Sequence, residues 1–219
     1  MQQRLKKLKG LFALLRMQFS EDRLRLPGPA IFLDRDGVIN CRKPTSYVLN
    51  WSEFLFIPGM PAALKQLATL RLPMIVISNQ ACVGKGLLDP AGLQEITIRM
   101  QQSLADIGVL VAAVYYCIHR SGENCDCRKP KPGLLQNAAE DYNIDLRQSI
   151  FIGDSDTDIQ AGIAAGCKPI LFGATHSENS GLPTAVNRVS AANAAADLFT
   201  VSERCLKDCR HLEPSGDFI

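Results

Sequence analysis

The stretch Ala30-Ile-Phe-Leu-Asp34-Arg35-Asp36-Gly37-Val38-Ile39-Asn40 decides how the rest of the chain is read. It opens as an apolar run of strand type and ends on two carboxylates two positions apart, with a glycine behind them. In an open α/β sheet, ligands bind at the carboxyl edge of the strands. Residues i and i+2 of a strand point the same way, so Asp34 and Asp36 are expected to share one site. Two carboxylates in one pocket repel. They persist together when a cation lies between them or when one stays protonated as an acid. The plainer alternative is an acidic turn that caps the next segment of the chain.

Outward from this stretch, strand and helix signals alternate. Apolar runs predict strands at 30–34, 73–78, 111–118, 149–153 and 168–172. Amphipathic or alanine-rich runs predict helices at 60–70, 90–107, 132–143 and 157–165. A last helix is expected over 191–206, after a loop at 175–190. Such alternation implies an α/β fold, a Rossmann-like parallel sheet with helices on both faces. The segment 41–57, rich in aromatic and β-branched residues, is expected to form a small hairpin flap. Neither it nor the segment between the third and fourth strands leaves the roughly 50 residues that an independent cap domain needs.

The boundaries follow from composition. Leu5, Leu8, Phe12, Leu15 and Phe19 fall on one face of a basic helix over residues 1–19, and Pro27-Gly28-Pro29 breaks the chain after it. Residues 1–29 therefore read as an amphipathic extension, 30–175 as the α/β domain, and 176–219 as a C-terminal loop, helix and tail. The extension either docks on the domain or frays, or it contacts a membrane surface or a partner helix. The first 25 residues hold seven Lys/Arg, which leaves a body with 17 basic and 20 acidic residues. A mildly acidic body argues against a nucleic-acid-binding domain. The sequence shows no apolar run long enough to span a bilayer and no signal peptide, so a cytoplasmic setting is expected. In that setting its eight cysteines are read as metal ligands or buried thiols rather than disulfides. Cys205 and Cys209, near His211, are read as free thiols of a solvated tail.

Each strand's carboxyl end delivers a polar group. The first gives Asp34 and Asp36, the second Ser78-Asn79-Gln80, the third Arg128-Lys129, and the fourth Gly153-Asp154-Ser-Asp-Thr-Asp158. Together they suit phosphoryl transfer, which needs charge neutralisation, an in-line nucleophile and a proton for the leaving oxygen. Asp34, Asp154 and the backbone carbonyl of Asp36 would hold Mg²⁺ through hard oxygens. Asp34 would attack phosphorus, and Asp36 would protonate the leaving alcohol and then activate water. Ser78 and Lys129 would bind the phosphoryl oxygens. Arg35, Asn79, Gln80 and Arg128 are expected at the substrate. Asp158 would orient the site from behind.

Cys117-Ile-His119-x5-Cys125-Asp-Cys127 is a Cys₃His set with the composition of a closed, structural Zn²⁺ site. The alternative is a loop of free or disulfide-bonded cysteines. A zinc there would order the loop and aim Arg128 and Lys129, the next two residues.

Asp34-Arg-Asp-Gly-Val-Ile-Asn40, Ser78-Asn-Gln80, Lys129 and Gly153-Asp-Ser-Asp-Thr-Asp158 resemble the four motifs of the haloacid dehalogenase (HAD) superfamily. The Cys-x-His…Cys-x-Cys-Arg-Lys-Pro loop is similar to that of its histidinol-phosphatase-related subgroup. The resemblance spans about residues 30–173. It implies a phosphatase without an independent cap, acting on a small phosphorylated metabolite with Mg²⁺ and a structural Zn²⁺. It further implies a sugar substrate, a heptose 1,7-bisphosphate hydrolysed at the 7-phosphate, with histidinol phosphate as the alternative. Arg128 is then implied in substrate recognition and Lys129 in phosphoryl stabilisation. One departure stands out: Lys85 occupies the position of an arginine in the sugar-phosphate branch. The basic residues Arg42, Lys43, Lys85 and Arg128 suit a substrate with a second phosphate.

Overall fold

The computed structural model describes residues 27–43, 45–173, 187–189 and 194–210. The basic helix expected over residues 1–19 lies outside them, as does His211.

Six parallel strands form one sheet. In chain order the elements are β1 (Ile31–Leu33), α1 (Met60–Ala68), β2 (Met74–Asn79), α2 (Ala81–Gly84), α3 (Pro90–Ala105) and β3 (Val111–Cys117). They continue with α4 (Gly133–Tyr142), β4 (Ile150–Gly153), α5 (Asp156–Ala165), β5 (Lys168–Phe172), β6 (Asn187–Val189) and α6 (Ala194–Arg210). The spatial order is β3-β2-β1-β4-β5-β6. The chain thus runs outward from β1 to β3, returns, and runs outward the other way from β4. The reversal falls between β1 and β4, and the two loops that leave these neighbours diverge to open a crevice.

The strands are apolar on both faces, as a sheet covered on both sides requires. Ile31, Leu33, Met74, Val76, Ile150 and Ile152 pack into one layer with α1, α3 and α6. Phe32, Ile75, Ile77 and Phe151 alternate with them and pack into the other, under α4 and Ala161 of α5. Three-residue strands such as β1 have little stability alone, and both faces of this one are buried completely.

Two elements go beyond the sequence reading. The loop expected at 175–190 contains β6, which pairs with β5 in parallel register, Ile170 opposite Asn187. The stretch between the second strand and the helix predicted from residue 90 contains the single turn α2. Cys205, read as part of a solvated tail, is instead buried in α6 and receives a hydrogen bond from Asn187 Nδ2 at 3.2 Å. α6 packs against α1, which removes that face from water.

The flap is a hairpin at its root. Cys41 N donates to Leu55 O at 2.7 Å and Ile57 N to Ile39 O at 3.1 Å. Trp51 stacks on Phe54 with ring centroids 4.9 Å apart, and Phe56 meets both edge-on. Among the described residues only this flap and α1 lie between β1 and β2, and no separate cap domain is present. No helix among them is long and apolar enough to cross a membrane.

Candidate active site

The crevice between β1 and β4 gathers acidic groups because both strands end in loops that glycine allows to approach closely. Asp34 follows β1, and its N–H donates to Ile152 O on β4 at 2.9 Å. Gly37 has φ +100°, and a Cβ there would lie 1.9 Å from Asp154 Oδ2. A Cβ on Gly153 would lie 2.1 Å from that of Asp158. Asp158 sits in the first turn of α5, where its Oδ2 accepts from Ser155 N at 3.1 Å and from Ser155 Oγ at 2.5 Å. This capping contact anchors Asp158 and leaves its Oδ1 turned inward.

Lys129 binds what these loops assemble. Its Nζ lies 2.7 Å from Asp34 Oδ1, 2.6 Å from Asp158 Oδ1 and 2.9 Å from the carbonyl of Ile77. All three side chains are less than a tenth exposed. Burial pushes the Asp34 carboxyl up to about 7; Lys129 opposes this, while Asp158 and Asp154 add to it. Asp154 is also raised, first by burial and then by Asp158, against the pull of Arg42 3.3 Å away. For Lys129 burial works against the charge, but Asp158 and Asp34 outweigh it and the ammonium is strongly favoured. Two carboxylates thus share one buried cation, and Asp154, paired with Arg42, lies beside them. Asp34, Asp154 and Asp158 offer oxygens all within 4.8 Å of one another. Such a surplus of hard, negative oxygen donors fits a divalent ion of the Mg²⁺ type.

Asp36 lines the same cleft with 27% of its side chain exposed, but its carboxylate is bound from behind. Arg35 Nη2 donates to both oxygens at 2.9 Å and Nε to Oδ1 at 3.3 Å. Asn40 Nδ2 reaches Oδ1 at 2.8 Å, and Gln80 Nε2 reaches Oδ2 at 2.7 Å. Burial works to raise the Asp36 carboxyl, but Arg35 and the amide donors hold it below its ordinary value.

These contacts correct two expectations. Arg35, expected at the substrate, is fully buried and its guanidinium lies 5.8 Å over the ring of Tyr116. A buried arginine needs a charge partner, and the adjacent Asp36 supplies it. Gln80 is likewise buried and outside the cleft lining, with its amide shared between Asp36 and Ser78 Oγ, 3.1 Å away. Ser78, Asn79, Arg128 and Lys129 do line the cleft. Asn79 also clasps the backbone of Lys129, donating to its carbonyl and accepting from its N–H, both at 3.1 Å. Asn40 was missed, although an Asn at a tight turn after two acids is a residue that bonds locally.

The Cys/His loop forms one wall. Cys117 Sγ lies 3.6 Å from Cys125 Sγ, which is 3.5 Å from Cys127 Sγ. His119 Nδ1 lies 3.7 Å from Cys117 Sγ and 3.3 Å from Cys127 Sγ. The Sγ–Sγ edge of a tetrahedral zinc site is about 3.8 Å, from a Zn–S length of ~2.3 Å. The set therefore fits zinc with little adjustment, and none of the three thiols is in a disulfide. Arg128 Nη1 donates back to the His119 carbonyl at 3.3 Å, which ties the loop to the cleft.

The cleft has a volume of about 850 Å³. Arg42, Lys43, Lys85, Arg128 and Lys131 all line it, so its outer part is positive while its floor is acidic. Lys85 Nζ donates to Tyr47 OH at 3.0 Å and joins the flap to α2. Nothing in the sequence pointed to Tyr47.

Replacing Gly37 by alanine forces Asp154 away and strains a left-handed residue. The expected outcome is a loss of about 1–3 kcal/mol in denaturant unfolding, with a larger proportional loss of Mg²⁺-dependent phosphatase activity. An unchanged dependence on Mg²⁺ concentration would contradict the assignment of Asp154 to the cation site.

Comparison with known proteins agrees with this geometry. The family model HAD-hydrolase-like (Hydrolase_like) matches residues 126–194. The D-glycero-beta-D-manno-heptose-1,7-bisphosphate 7-phosphatase of Bordetella bronchiseptica is 34% identical over 182 residues, 81% of this chain and 98% of that protein. The enzyme of the same name from Pseudomonas putida is 39% identical over 141 residues, 64% of this chain and 80% of the relative. The crystal structure of D,D-heptose 1,7-bisphosphate phosphatase from B. bronchiseptica, complexed with magnesium and phosphate, superposes with a TM-score of 0.72 at 33% identity. That match covers 82% of this chain and 99% of the other. On sequence, fold and site together, the chain belongs to the HAD-like hydrolases and is a relative of the heptose-bisphosphate phosphatases among them.

Proposed function

We propose that this chain is a Mg²⁺-dependent phosphatase that hydrolyses the 7-phosphate of a D-glycero-D-manno-heptose 1,7-bisphosphate through an aspartyl-phosphate on Asp34. The observation that carries the reading is the buried Asp34–Lys129–Asp158 set at the acidic floor of a cleft whose rim is basic. The relatives' names supply the sugar. The rim supplies a physical reason for it: an ester bound through one phosphate at the floor leaves a second anionic group among Arg42, Lys43, Lys85 and Arg128. The reduced thiols of the Cys/His loop suit a cytoplasmic setting.

Asp34, Asp154 and the backbone carbonyl of Asp36 would hold Mg²⁺, with Asp158 adjacent. Bound there, the ion neutralises charge on the phosphoryl oxygens. Asp34 attacks phosphorus and the bond to the sugar oxygen breaks. Asp36 gives its proton to that oxygen, leaving the free alcohol and an acyl phosphate. Asp36 rests ionised, so it takes up this proton as the doubly negative ester arrives beside it and favours the neutral acid. In the second half, Asp36 removes a proton from water, water attacks phosphorus, and the bond from Asp34 to phosphorus breaks to release phosphate. Ser78 and Lys129 bind the phosphoryl oxygens. Asp158 and the Ile77 carbonyl fix Lys129, and Asn79 fixes its backbone. Cys117, His119, Cys125 and Cys127 would hold Zn²⁺ with no open position, so that metal orders the wall that carries Arg128 and Lys129.

Phosphate release with Mg²⁺ is to be measured on a panel holding the heptose bisphosphate, histidinol phosphate and simple sugar phosphates. The highest kcat/KM is expected for the heptose bisphosphate, with a drop of at least about 10³-fold in Asp34→Asn. A preference for histidinol phosphate would overturn the substrate, and an inert wild type would leave a non-catalytic binding module.

Metal analysis is expected to find about one zinc per chain. A zinc chelator, or Cys117→Ser, should lower the unfolding midpoint as well as the activity. Stability that ignores both treatments would contradict the zinc site.

A further inference from the structure

The four donors on Asp36 divide unequally, and the division has a mechanistic use. Oδ1 takes Arg35 Nε and Nη2 and Asn40 Nδ2, all from residues with no exposed surface. Oδ2 takes Arg35 Nη2 and Gln80 Nε2, and that same amide also donates to Ser78 Oγ, which lines the cleft. A carboxylate has about four acceptor sites, so the cage fills them all. Behind Arg35, Tyr116 OH lies 2.9 Å from Thr97 Oγ1, which donates to Leu93 O on α3 at 2.7 Å. The guanidinium is therefore backed by a side-chain stack from β3 to α3 and has no route to solvent or substrate.

We propose that Arg35, which holds both oxygens of Asp36, and Asn40, which holds Oδ1, are positioning residues that fix the carboxylate plane and thereby present Oδ2 to the cleft as the oxygen that exchanges the proton. This rests on the reading of Asp36 as the acid–base residue. Gln80 is the donor that yields. When it gives up Oδ2 it keeps a partner in Ser78 Oγ, whereas Asn40 stays with Oδ1 and Arg35, through Nη2, stays with both oxygens. The first half-reaction then needs only one local change. Gln80 releases Oδ2, the O–P bond to the substrate breaks, and the proton on Oδ2 passes to the departing alkoxide. The arginine fork is required because a planar two-point contact fixes the carboxylate plane, which a lysine ammonium cannot do.

The test uses single turnovers with enzyme in excess, which read phosphoryl transfer from the substrate alone. Two substrates are compared in the presence of Mg²⁺: the best sugar phosphate of the panel and p-nitrophenyl phosphate. A sugar alkoxide needs a proton to leave; p-nitrophenolate does not. In Arg35→Lys the sugar phosphate rate at saturating enzyme is expected to fall about 10²-fold, the low end of what a positioned acid supplies, with the half-saturating enzyme concentration little changed. The p-nitrophenyl phosphate rate should fall less than about 5-fold. Asn40→Ser leaves Arg35 in place and should show the same selective loss to a smaller extent, which keeps the test available if Arg35→Lys does not fold. Equal losses on both substrates, or a raised half-saturating enzyme concentration at an unchanged saturating rate, would overturn the positioning role. Asp36→Ala separates the two claims. If it shows no selective loss, the acid–base reading fails; if it shows one and the Arg35 and Asn40 variants do not, the positioning proposal fails alone.

Discussion

The ion set of Lys129 between Asp34 and Asp158 is the constraint on which the rest of the site depends. Burying three charges is costly, and removing the central one would leave two carboxylates without a counter-charge, an effect of about 3–5 kcal/mol. The surroundings are therefore arranged to hold Lys129 in one place. The Ile77 carbonyl takes a third bond from its ammonium, and Asn79 takes both backbone groups. The Cys/His loop sits immediately before it in the chain. From the other side, a helix cap anchors Asp158 and the end of β1 anchors Asp34. With both its carboxylates ionised the set already carries excess negative charge, and Asp154 adds a further carboxylate beside it. That residual charge suits a divalent cation at the floor, which would in turn favour a phosphate ester there.

The sheet explains why these groups meet. With the strand order β3-β2-β1-β4-β5-β6, the two strands that carry Asp34 and Asp154 are neighbours although about 120 positions apart in the chain. The loop carrying Lys129 follows β3, two strands away from β1, and must reach across β2 to arrive. Lysine has the length to do so, and the Asn79 clasp at the end of β2 supports the crossing. The flap closes from the other side, with Arg42 beside Asp154 and Tyr47 held by Lys85.

Much of this was legible in the chain. Five strands and the helices between them were visible because buried parallel strands are continuously apolar, and their polar exits stand out against such runs. The Cys₃His spacing was equally plain. What escaped notice has physical reasons. β6 is three residues long, and Asn187-Arg188-Val189 has no apolar run to mark it as a strand at the sheet's edge. α2 is one turn, too short for a periodic signal. Arg35 was misplaced because a charged residue between two acids at a strand's carboxyl end reads as a substrate contact. Its true partner is its own neighbour, and only the fold shows that the position has no exposed surface. Tyr47 and Lys85 meet through tertiary contact alone.

The central claim is that the carboxylate of Asp34 carries the phosphoryl group during turnover. Rapid acid quench of the Mg²⁺-loaded protein with a substrate radiolabelled in the transferred phosphate tests it most directly, followed by peptide mapping. The account predicts label on the peptide that contains Asp34, released by hydroxylamine as an acyl phosphate is. Steady turnover with no label on the protein, or label confined to a different residue, would contradict it.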